Sequence, residues 1–531
     1  MSDIGKMMEE LQFSKWLECL VEFYGDRPAY SFEEVTLSYR RLYLKSVYCA
    51  DKLIRAGLKR DDKVVLWAMN SADWLIAYFG ITMAGGVAVL MNYGLNAVEV
   101  SKLTEMVGAT WAVVGPNKVS LKDAEEADRA MVLAGVPAER VICLSNLADP
   151  AKLPDEGRVL QRLPEEDADP RDTRIIIFTT GTTATPKAVQ LSTYAVLNDA
   201  FMFSKRVGDD MTDRVGVALP MFHSFGMTFT LSLFMMGFHV WSLATFKPQN
   251  VMDMIVGNRI TTLATVGAVC SGMTFLPGFE ETVGELLKSV MVGGGLTAPS
   301  EMIRIEKMLH RGCMLVGYGQ TECAPIVSVS ISADPLERRS VSVGRTLPGM
   351  EVQIWKKDAG ILGCGEIGEI VVKGPNTMNG YLGLPQEQQP FDADGWLHTG
   401  DLGMISEDGF LTLTGRIKDI IIRGGENISP IEIENALLEN PAIRDAKVFG
   451  APHPIMGESV EACIVTRSDS INEELLRENL IERLSSFKIP SHFFIYEEFP
   501  LDTNGKLAQR VLKNDMLEKL QKVVDYFLGV S

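Results

Sequence analysis

Short runs of Val, Ile and other apolar residues alternate with amphipathic segments along the first part of the chain. The run at 63–67 is followed by a helical pattern through 74–79, and 85–90 again has the pattern of a strand. The same strand pattern returns at 111–114 and 140–144. Strands that alternate with helices favour parallel sheets covered by helices on their faces. The sequence therefore predicts an α/β fold.

A different pattern begins after residues 415–419. Strand patterns occur there at 448–450 and 461–465, and helix patterns at 431–438 and 473–484. This mixture within a short piece of chain predicts a small α+β domain at the C-terminal end.

The composition limits the possible partners. The chain has 531 residues, of which 46% are hydrophobic and 23% charged, an ordinary globular mixture. Its formal net charge of −18 argues against nucleic acid and anionic membranes, because both require a basic surface. The eight cysteines are scattered without a C-x-x-C pair and indicate thiols in a reducing compartment. Since residues 1–4 also lack an apolar signal core, we expect a cytoplasmic protein.

The stretch 215–246 contains no Asp, Glu, Lys or Arg and is long enough to cross a membrane. Pro220, His223, His239 and several Gly, Ser and Thr residues interrupt it. A spanning helix is predominantly apolar along its whole length. We therefore expect a buried strand, loop and helix rather than a transmembrane segment. A hydrophobic surface patch is the remaining alternative.

An apolar β-branched run at 175–177 leads into a loop whose composition suits polyphosphate. The loop at 178–187 (FTTGTTATPK) combines hydroxyl groups, one glycine and a lysine. Hydroxyls and backbone N–H groups donate hydrogen bonds to phosphate, glycine permits close approach, and lysine supplies a positive charge. The G-x-x-x-x-G-K-[ST] pattern cannot be placed on it, and an ordinary turn is the alternative for this loop alone.

Four further motifs follow this loop. They are GYGQTE at 317–322, GWLHTGD at 395–401, GRIKD at 415–419 with GGEN at 424–427, and PLDTNGK at 500–506. Each has little specificity alone, whereas the five in this order are a specific pattern. Together they resemble the adenylate-forming superfamily, which includes acyl-CoA synthetases, peptide-synthetase adenylation domains and beetle luciferases. The resemblance extends roughly over residues 30–510.

This resemblance implies a fold and a reaction in two steps. A large N-terminal domain at 1–417, with parallel-rich sheets covered by helices, would carry the ATP and acyl sites. A small mobile α+β lid domain would occupy 418–531. In the first step a carboxylate attacks the α-phosphate of ATP and releases pyrophosphate; in the second a thiol displaces AMP. The protein must hold two anions together and neutralise their charge. ATP, Mg²⁺ and CoA are the implied cofactors.

The resemblance assigns two sets of residues to the phosphates. The β- and γ-phosphates would be held by the hydroxyl-rich loop, through Thr179, Thr180, Gly181, Thr182, Thr183 and Lys187. Thr321 would contact the α-phosphate. Glu322 would bind Mg²⁺, for which a hard carboxylate is suited and which bridges phosphate oxygens.

Other residues are implied at the adenosine. Tyr318 and the neighbouring Gly319 would line one side of an adenine slot. The opposite wall would be formed by three glycines that let a flat base lie against backbone, Gly293, Gly294 and Gly295. Asp401 would accept hydrogen bonds from both ribose hydroxyls, with the guanidinium of Arg416 beside it. Without the flanking motifs, a core aromatic residue and a surface ion pair would be the simpler interpretations.

Three residues are implied in the lid. Lys506 would swing in to bind the attacking carboxylate and the α-phosphate region in the closed state. Lys418 occupies the hinge position, where the backbone would absorb the lid rotation. Gly425 would border the tunnel for the pantetheine arm of CoA, and its other interpretation is a hairpin glycine with positive φ.

The acyl group would lie against side chains that carry almost no charge. These residues are Phe222, His223, Met227, Val266, Gly267, Ile326 and Val327. His223 would contact the carboxylate; it has no second histidine at i+4 and is not expected to bind a metal. A hydrophobic monocarboxylate, aliphatic or aromatic, would suit this wall, whereas an amino acid would require a nearby carboxylate, for which Asp199 is only a remote candidate. Cys323 and the Val266-Gly267 pair depart from the usual residues, so the acid stays open.

We therefore predict an ATP-dependent acyl-CoA synthetase, an AMP-forming acid–thiol ligase. Two alternatives are an acyl-adenylating ligase that loads a carrier-protein thiol and a non-catalytic nucleotide-binding regulator. The presence of Lys187, Glu322 and Lys506 argues against the regulator. A luciferase-like monooxygenase would share the fold but has no support in the residues. A small-molecule carboxylate, ATP and CoA are the expected partners, and a homo-oligomer is compatible with the sequence.

Overall fold

The computed structural model describes residues 10–528 except 117–123, 148–162, 180–185, 212–213, 296, 358, 424–425, 454–455, 468–472, 482 and 503–506. In chain order its strands are β1 (Pro28–Phe32), β2 (Val35–Ser38), β3 (Lys63–Trp67), β4 (Val87–Leu90), β5 (Trp111–Val114), β6 (Val141–Cys143), β7 (Thr173–Thr179), β8 (Lys187–Ser192), β9 (Arg214–Val217), β10 (His239–Ser242), β11 (Thr262–Thr265), β12 (Ser289–Val292), β13 (Cys313–Gly319), β14 (Ile326–Val329), β15 (Arg345–Thr346), β16 (Glu351–Lys356), β17 (Gly360–Ile361), β18 (Gly368–Lys373), β19 (Gly380–Tyr381), β20 (Leu397–Ile405), β21 (Leu411–Arg416), β22 (Ile421–Arg423), β23 (Glu426–Ile428), β24 (Ile443–His453), β25 (Gly457–Thr466) and β26 (His492–Tyr496).

The helices cover the faces of these strands. They are α1 (Phe13–Tyr24), α2 (Tyr39–Ala56), α3 (Ala72–Met83), α4 (Ala97–Val107), α5 (Ala124–Leu133), α6 (Leu144–Leu147), α7 (Thr193–Val207), α8 (Ser224–Met235), α9 (Pro248–Asn258), α10 (Gly267–Met273), α11 (Phe279–Leu286), α12 (Pro299–Met308), α13 (Leu336–Arg339), α14 (Pro430–Leu438), α15 (Glu473–Ile481) and α16 (Gln509–Leu528).

Two large sheets form the centre of the molecule. One has nine strands in the order β15-β14-β13-β12-β11-β9-β10-β1-β2, and the other has seven in the order β19-β8-β7-β4-β3-β5-β6. Their inner strands are parallel and their edge strands β2, β14, β15, β8 and β19 are antiparallel. Every residue of β4 (VAVL) and β5 (WAVV) is buried, because helices cover both faces of a parallel sheet. The predicted α/β fold is confirmed.

The charge-free stretch 215–246 forms β9, α8 and β10, as expected for a buried strand, loop and helix. Its polar residues are accommodated inside the protein because their hydroxyls bond to the helix backbone. Thr230 donates to the carbonyl of Gly226 at 2.8 Å, and Ser232 donates to that of Thr228 at the same distance. Among the described residues, no helix combines the length and apolarity needed to cross a membrane.

Two smaller sheets follow in the chain. The antiparallel sheet β17-β16-β18-β20-β21 ends at a short 3₁₀ segment, Ile417–Asp419. After it, β23-β22-β25-β24 form a sheet with β26 on β25, and α14 and α15 share its apolar core. This part is the predicted small α+β unit. The predicted domain boundary between residues 417 and 418 falls inside the 3₁₀ segment and stays a prediction.

Candidate active site

The candidate site lies beyond the carboxyl ends of β12 and β13, the usual position of ligands in open α/β sheets. The two strands are parallel, and Val292 lies opposite Val316. Their extensions therefore run side by side. A Cβ atom on Gly293 would lie 3.6 Å from the carbonyl oxygen of Gly317 and 3.0 Å from the ring of Phe225. Backbone thus packs closely beside Gly293, and the three glycines that follow β12 begin next to the strand that carries Tyr318 and Gly319.

The chain makes a tight turn after β13. A Cβ atom on Gly319 would lie 1.7 Å from the carbonyl oxygen of Pro325, so no other residue fits without a backbone shift. The 3₁₀ turn Thr321–Cys323 follows, and the chain returns as β14. The Ser224 hydroxyl, at the start of α8, donates to Oγ1 of Thr321 at 3.3 Å. This contact joins the predicted acyl wall to the predicted α-phosphate ligand.

Tyr318, Asp401 and Arg416 form one hydrogen-bonded group. The Tyr318 hydroxyl donates to Oδ2 of Asp401 at 2.9 Å, and Nε of Arg416 lies 2.9 Å from Oδ1. Asp401 and Arg416 are paired across β20 and β21, so the sheet register sets this contact. Burial and the Asp401 charge raise the pKa of Tyr318 well above its ordinary value, which keeps its hydroxyl a donor. Each carboxylate oxygen can accept a further bond, as the predicted ribose contact requires.

Glu322, Tyr381 and Lys187 form a second group. The Tyr381 hydroxyl donates to Oε1 of Glu322 at 2.7 Å, and Nζ of Lys187 lies 4.4 Å from the centre of the Tyr381 ring. Pairing of β19 with β8 places Tyr381 opposite Val189, two residues after Lys187. Tyr381 lies outside the five sequence motifs, and the Gly-Tyr pair at 380–381 gives no indication of its contact with Glu322.

The hydroxyl-rich loop connects two paired strands. Thr179 ends β7 and lies opposite Lys187, which begins β8. These two predicted phosphate ligands therefore stand at the base of the loop. Several other predicted site residues lie outside the described residues and stay predictions: Thr180, Gly181, Thr182, Thr183, Gly425 and Lys506.

Lys418 lies close to this site rather than on a remote linker. Its side chain is exposed, but partial desolvation, the guanidinium of Arg416 and the ammonium of Lys187 lower its pKa below the ordinary value for lysine. The nearby carboxylates of Asp401 and Asp419 act in the opposite direction. The charges of three predicted nucleotide ligands, Arg416, Asp401 and Lys187, therefore act on the predicted hinge residue.

The predicted acyl residues lie on β14, on α8 and in the loop before it. Phe222, Met227, Ile326 and Val327 are buried. The Phe222 ring packs edge-on against Tyr93 with centroids 5.2 Å apart. These residues form a continuous apolar region with the core of the nine-stranded sheet.

Gly267 begins α10 after the partly buried Val266, and the space beside it is occupied. A Cβ atom on Gly267 would lie 2.7 Å from Oγ1 of Thr297. That oxygen is buried and has no hydrogen-bond partner among the described residues. The lack of a side chain at Gly267 therefore makes room for the hydroxyl of Thr297, a residue that was not predicted from the sequence; the place of Gly267 on the acyl wall stays a prediction.

The side chain of Asp199 is buried and hydrogen-bonded within the protein. Its carboxylate accepts hydrogen bonds from Nδ2 of Asn376 at 2.8 Å and from the backbone N–H of Ile326 at 3.3 Å. Nδ2 of Asn376 also donates to the carbonyl of Cys323. Burial raises the pKa of Asp199 well above its ordinary value. This bracket holds the turn after Glu322 against α7.

Family models cover both parts of the chain. The model of the AMP-binding enzyme matches residues 18–382, and that of the AMP-binding enzyme C-terminal domain matches residues 432–506. The chain belongs to the AMP-binding enzyme family. The first match contains both hydrogen-bonded tyrosines, Tyr318 and Tyr381, and the second ends at Lys506.

Relatives within the AMP-binding enzyme family are similar over nearly the whole chain. A 2-succinylbenzoate–CoA ligase of Bacillus velezensis is 30% identical over 502 residues, which cover 94% of this chain and 97% of the relative. The long-chain-fatty-acid–CoA ligase FadD13 of Mycobacterium tuberculosis is 28% identical over 482 residues, which cover 90% and 93%.

Solved structures of the family have the same fold. The o-succinylbenzoate CoA synthetase MenE of Bacillus subtilis in complex with the acyl-adenylate intermediate OSB-AMP has a TM-score of 0.80 and 26% identity, covering 94% of this chain and 97% of that chain. The same enzyme in complex with ATP and magnesium has a TM-score of 0.78 and 25% identity, with coverages of 94% and 99%.

The side chains of this AMP-binding enzyme fit a magnesium ion presented by a nucleotide. One oxygen of Glu322 accepts the Tyr381 hydroxyl, and the other has no side-chain partner among the described residues. Mg²⁺ is commonly held by one or two carboxylates together with substrate phosphates and water. Within the described part of the chain, no group of three or more His, Cys, Asp or Glu side chains could hold a metal alone. Glu322 would therefore be the carboxylate available to a magnesium ion that the phosphates of ATP also hold.

Proposed function

We propose that this chain is an ATP-dependent acyl-CoA synthetase that activates a hydrophobic monocarboxylate. It forms an acyl-AMP with release of pyrophosphate and then transfers the acyl group to CoA with release of AMP. The observation that carries the proposal is the pair of hydrogen-bonded groups on either side of 318–322: Tyr318 with Asp401, and Glu322 with Tyr381. Adenosine and polyphosphate need different binding partners. The motif at 318–322 contributes Tyr318 to the group proposed for adenosine and Glu322 to the group proposed for polyphosphate.

Tyr318 and Asp401 bind the adenosine in this proposal. The Tyr318 ring lies against the base, and the three glycines after β12 let the base approach the backbone on its other side. Asp401 accepts hydrogen bonds from the ribose hydroxyls. Arg416 orients this carboxylate through the contact to Oδ1.

The phosphates lie between Lys187 and Thr321. Lys187 turns from the Tyr381 ring toward the β- and γ-phosphates, and the Thr321 hydroxyl donates to the α-phosphate while accepting from Ser224. Mg²⁺ bound at Glu322 supplies positive charge that neutralises the phosphate oxygens during attack. Thr180, Gly181, Thr182 and Thr183 complete the contacts to the polyphosphate.

The acid lies against the apolar wall that contains Phe222, Met227 and Val327, with its carboxylate near His223. Each methylene that leaves water for such a wall gains about 0.8 kcal/mol. Selectivity among hydrophobic acids therefore depends on chain length and on the shape near Gly267. An amino acid is disfavoured, because the carboxylate of Asp199 is already enclosed by Asn376 and the backbone of Ile326.

The lid completes each half of the reaction. Lys506 supplies its charge to the carboxylate and α-phosphate during adenylation. Rotation at Lys418 then removes Lys506 and brings Gly425 to the pantetheine arm of CoA. We place the enzyme in the cytoplasm, which agrees with its eight unpaired cysteines.

A panel of carboxylates tests this proposal. Pyrophosphate release is measured with and without CoA, with Mg²⁺ present, for short, long and aromatic monocarboxylates and for amino acids. We expect release that requires a hydrophobic acid and ATP, and steady turnover to AMP and acyl-CoA only with CoA. Acyl-AMP that accumulates and resists CoA would instead favour a carrier-protein thiol as acceptor. Absence of acid-dependent pyrophosphate release for the whole panel would contradict the proposal.

A further inference from the structure

We propose that Tyr381 is a positioning residue that keeps Glu322 available for Mg²⁺ and Lys187 available for the phosphates of ATP. The inference rests on the proposed function and concerns a residue outside the five sequence motifs. Tyr381 contacts both groups at once, through its hydroxyl and through its ring face. It stands between a carboxylate and an ammonium that belong to different parts of the chain.

The hydroxyl determines which oxygen of Glu322 meets the cation. It donates to Oε1 at 2.7 Å, and both side chains are buried, with 7% of Tyr381 and 8% of Glu322 exposed. A carboxylate held at one oxygen cannot rotate freely, and its second oxygen is directed to a single position. Residues that orient a metal ligand in this way commonly change metal affinity 10- to 100-fold when they are removed.

The ring holds Lys187 without neutralising it. Nζ of Lys187 lies 4.4 Å from the ring centre, and this ammonium group forms no ion pair or hydrogen bond with the side chains that the structure describes, although the Lys187 backbone is paired with Thr179. A cation over an aromatic face keeps its full charge, so it can be transferred to phosphate. A direct ion pair between Lys187 and Glu322 would instead satisfy both charges and leave less for Mg²⁺ and ATP.

The backbone of Tyr381 is fixed by one neighbouring side chain. Oε1 of Gln389 accepts from the Tyr381 N–H at 2.7 Å, and Nε2 of Gln389 donates to the Tyr381 carbonyl at 3.0 Å. Pairing of β19 with β8 adds a second restraint. Because the backbone is held from two sides, the starting point of the Tyr381 side chain is fixed relative to Glu322 and Lys187.

The test measures nucleotide binding in the absence of any acid. ATP binding is followed by calorimetry while the Mg²⁺ concentration is varied. In Tyr381→Phe, which loses only the hydroxyl, we expect the Mg²⁺ concentration for half-maximal ATP binding to rise on the order of 10-fold. The ATP affinity at saturating Mg²⁺ should change little. In Tyr381→Leu, which also loses the ring, the affinity at saturating Mg²⁺ should fall as well.

Tyr78→Phe is the matched control, because Tyr78 is a buried tyrosine in α3 that stacks on Trp74. It should keep the Mg²⁺ dependence of the wild type. Gln389→Met should raise the Mg²⁺ requirement less than Tyr381→Phe does. If a melting curve shows that Tyr381→Phe does not fold, Gln389→Met tests the positioning role of Tyr381 in its place. Unchanged Mg²⁺ dependence in a folded Tyr381→Phe, or in Gln389→Met if only that variant folds, would overturn the inference. Wild-type protein without Mg²⁺-dependent ATP binding would overturn the proposed function instead.

Discussion

The nucleotide side and the acyl side of the candidate site are built in different ways. On the nucleotide side the buried carboxylates of Asp401 and Glu322 accept from tyrosine hydroxyls at 2.9 and 2.7 Å. On the acyl side Phe222 and Met227 pack through apolar contacts, and the buried Thr297 hydroxyl has no partner among the described residues. Hydrogen bonds demand particular residue types at particular distances, whereas an apolar wall demands only volume. The nucleotide side should therefore tolerate few substitutions, and the acyl side should tolerate many more.

Asp401→Ala tests the nucleotide side most severely. The change removes the proposed ribose acceptor and leaves the buried Tyr318 hydroxyl without its acceptor. Loss of a buried partner costs about 1–3 kcal/mol, and the loss of a ligand contact adds to it. We expect kcat/KM for ATP to fall on the order of 10²-fold or more, measured by ATP–pyrophosphate exchange.

The control for Asp401→Ala is Asp408→Ala. Asp408 lies in the turn between β20 and β21, and its exposed carboxylate pairs with Arg338. This variant should exchange pyrophosphate at nearly the wild-type rate. Equal losses in the two variants would show that the β20–β21 hairpin, rather than the Asp401 carboxylate, is responsible.

Gly319→Ala sharpens the comparison through the backbone. The new Cβ would lie 1.7 Å from the Pro325 carbonyl oxygen, so the turn that carries Thr321 and Glu322 must move. Such overpacking costs about 1–3 kcal/mol. We expect a free energy of unfolding lower by that amount and about a tenfold loss of adenylation. Gly208→Ala is the control, since nothing lies within 4 Å of its Cβ position; a stability loss as large there would refute the packing argument.

Met227→Ala tests the acyl side. Met227 is fully buried in α8, and truncation of such a residue costs about 2–5 kcal/mol of stability. In the folded variant, kcat/KM should fall severalfold for long acids and less for short ones, because about 0.8 kcal/mol is lost for each methylene that leaves its contact. The dissociation constant of ATP should stay unchanged. A weaker ATP affinity with intact acid selectivity would reverse the assignment of the two sides.

The sequence predicted elements well where burial alone determines them. The expected strands at 63–67 and 111–114 coincide with β3 and β5, since continuous apolar runs suit parallel strands. The helix expected at 74–79 extends to Ala72–Met83, because the Ser71 side chain accepts from the backbone of Trp74 at its start.

The motifs predicted candidate site residues, several of which the structure brings together, but they did not predict the tertiary partners of these residues. Tyr381 bonds to Glu322, 59 residues earlier, and is placed by strand pairing to β8. Thr297 reaches the space beside Gly267, 30 residues earlier, where the loop before α12 packs against the start of α10. Neither contact has a local pattern, since a lone tyrosine or threonine has the same appearance in sequence wherever its partner lies.

Thr297→Val addresses a buried polar atom beside Gly267 on the acyl side. Valine has nearly the shape of threonine and removes the Oγ1 atom that has no hydrogen-bond partner among the described residues. A buried unsatisfied hydroxyl costs about 1–3 kcal/mol, so the free energy of unfolding should stay equal or rise by about 1 kcal/mol. If the acid is wholly apolar, its kcat/KM should change by less than about threefold, the smallest effect in this series. A large loss of kcat/KM for one acid alone would show instead that Thr297 donates a hydrogen bond to a polar group on that substrate. The acyl side would then depend on a directed hydrogen bond, as the nucleotide side does.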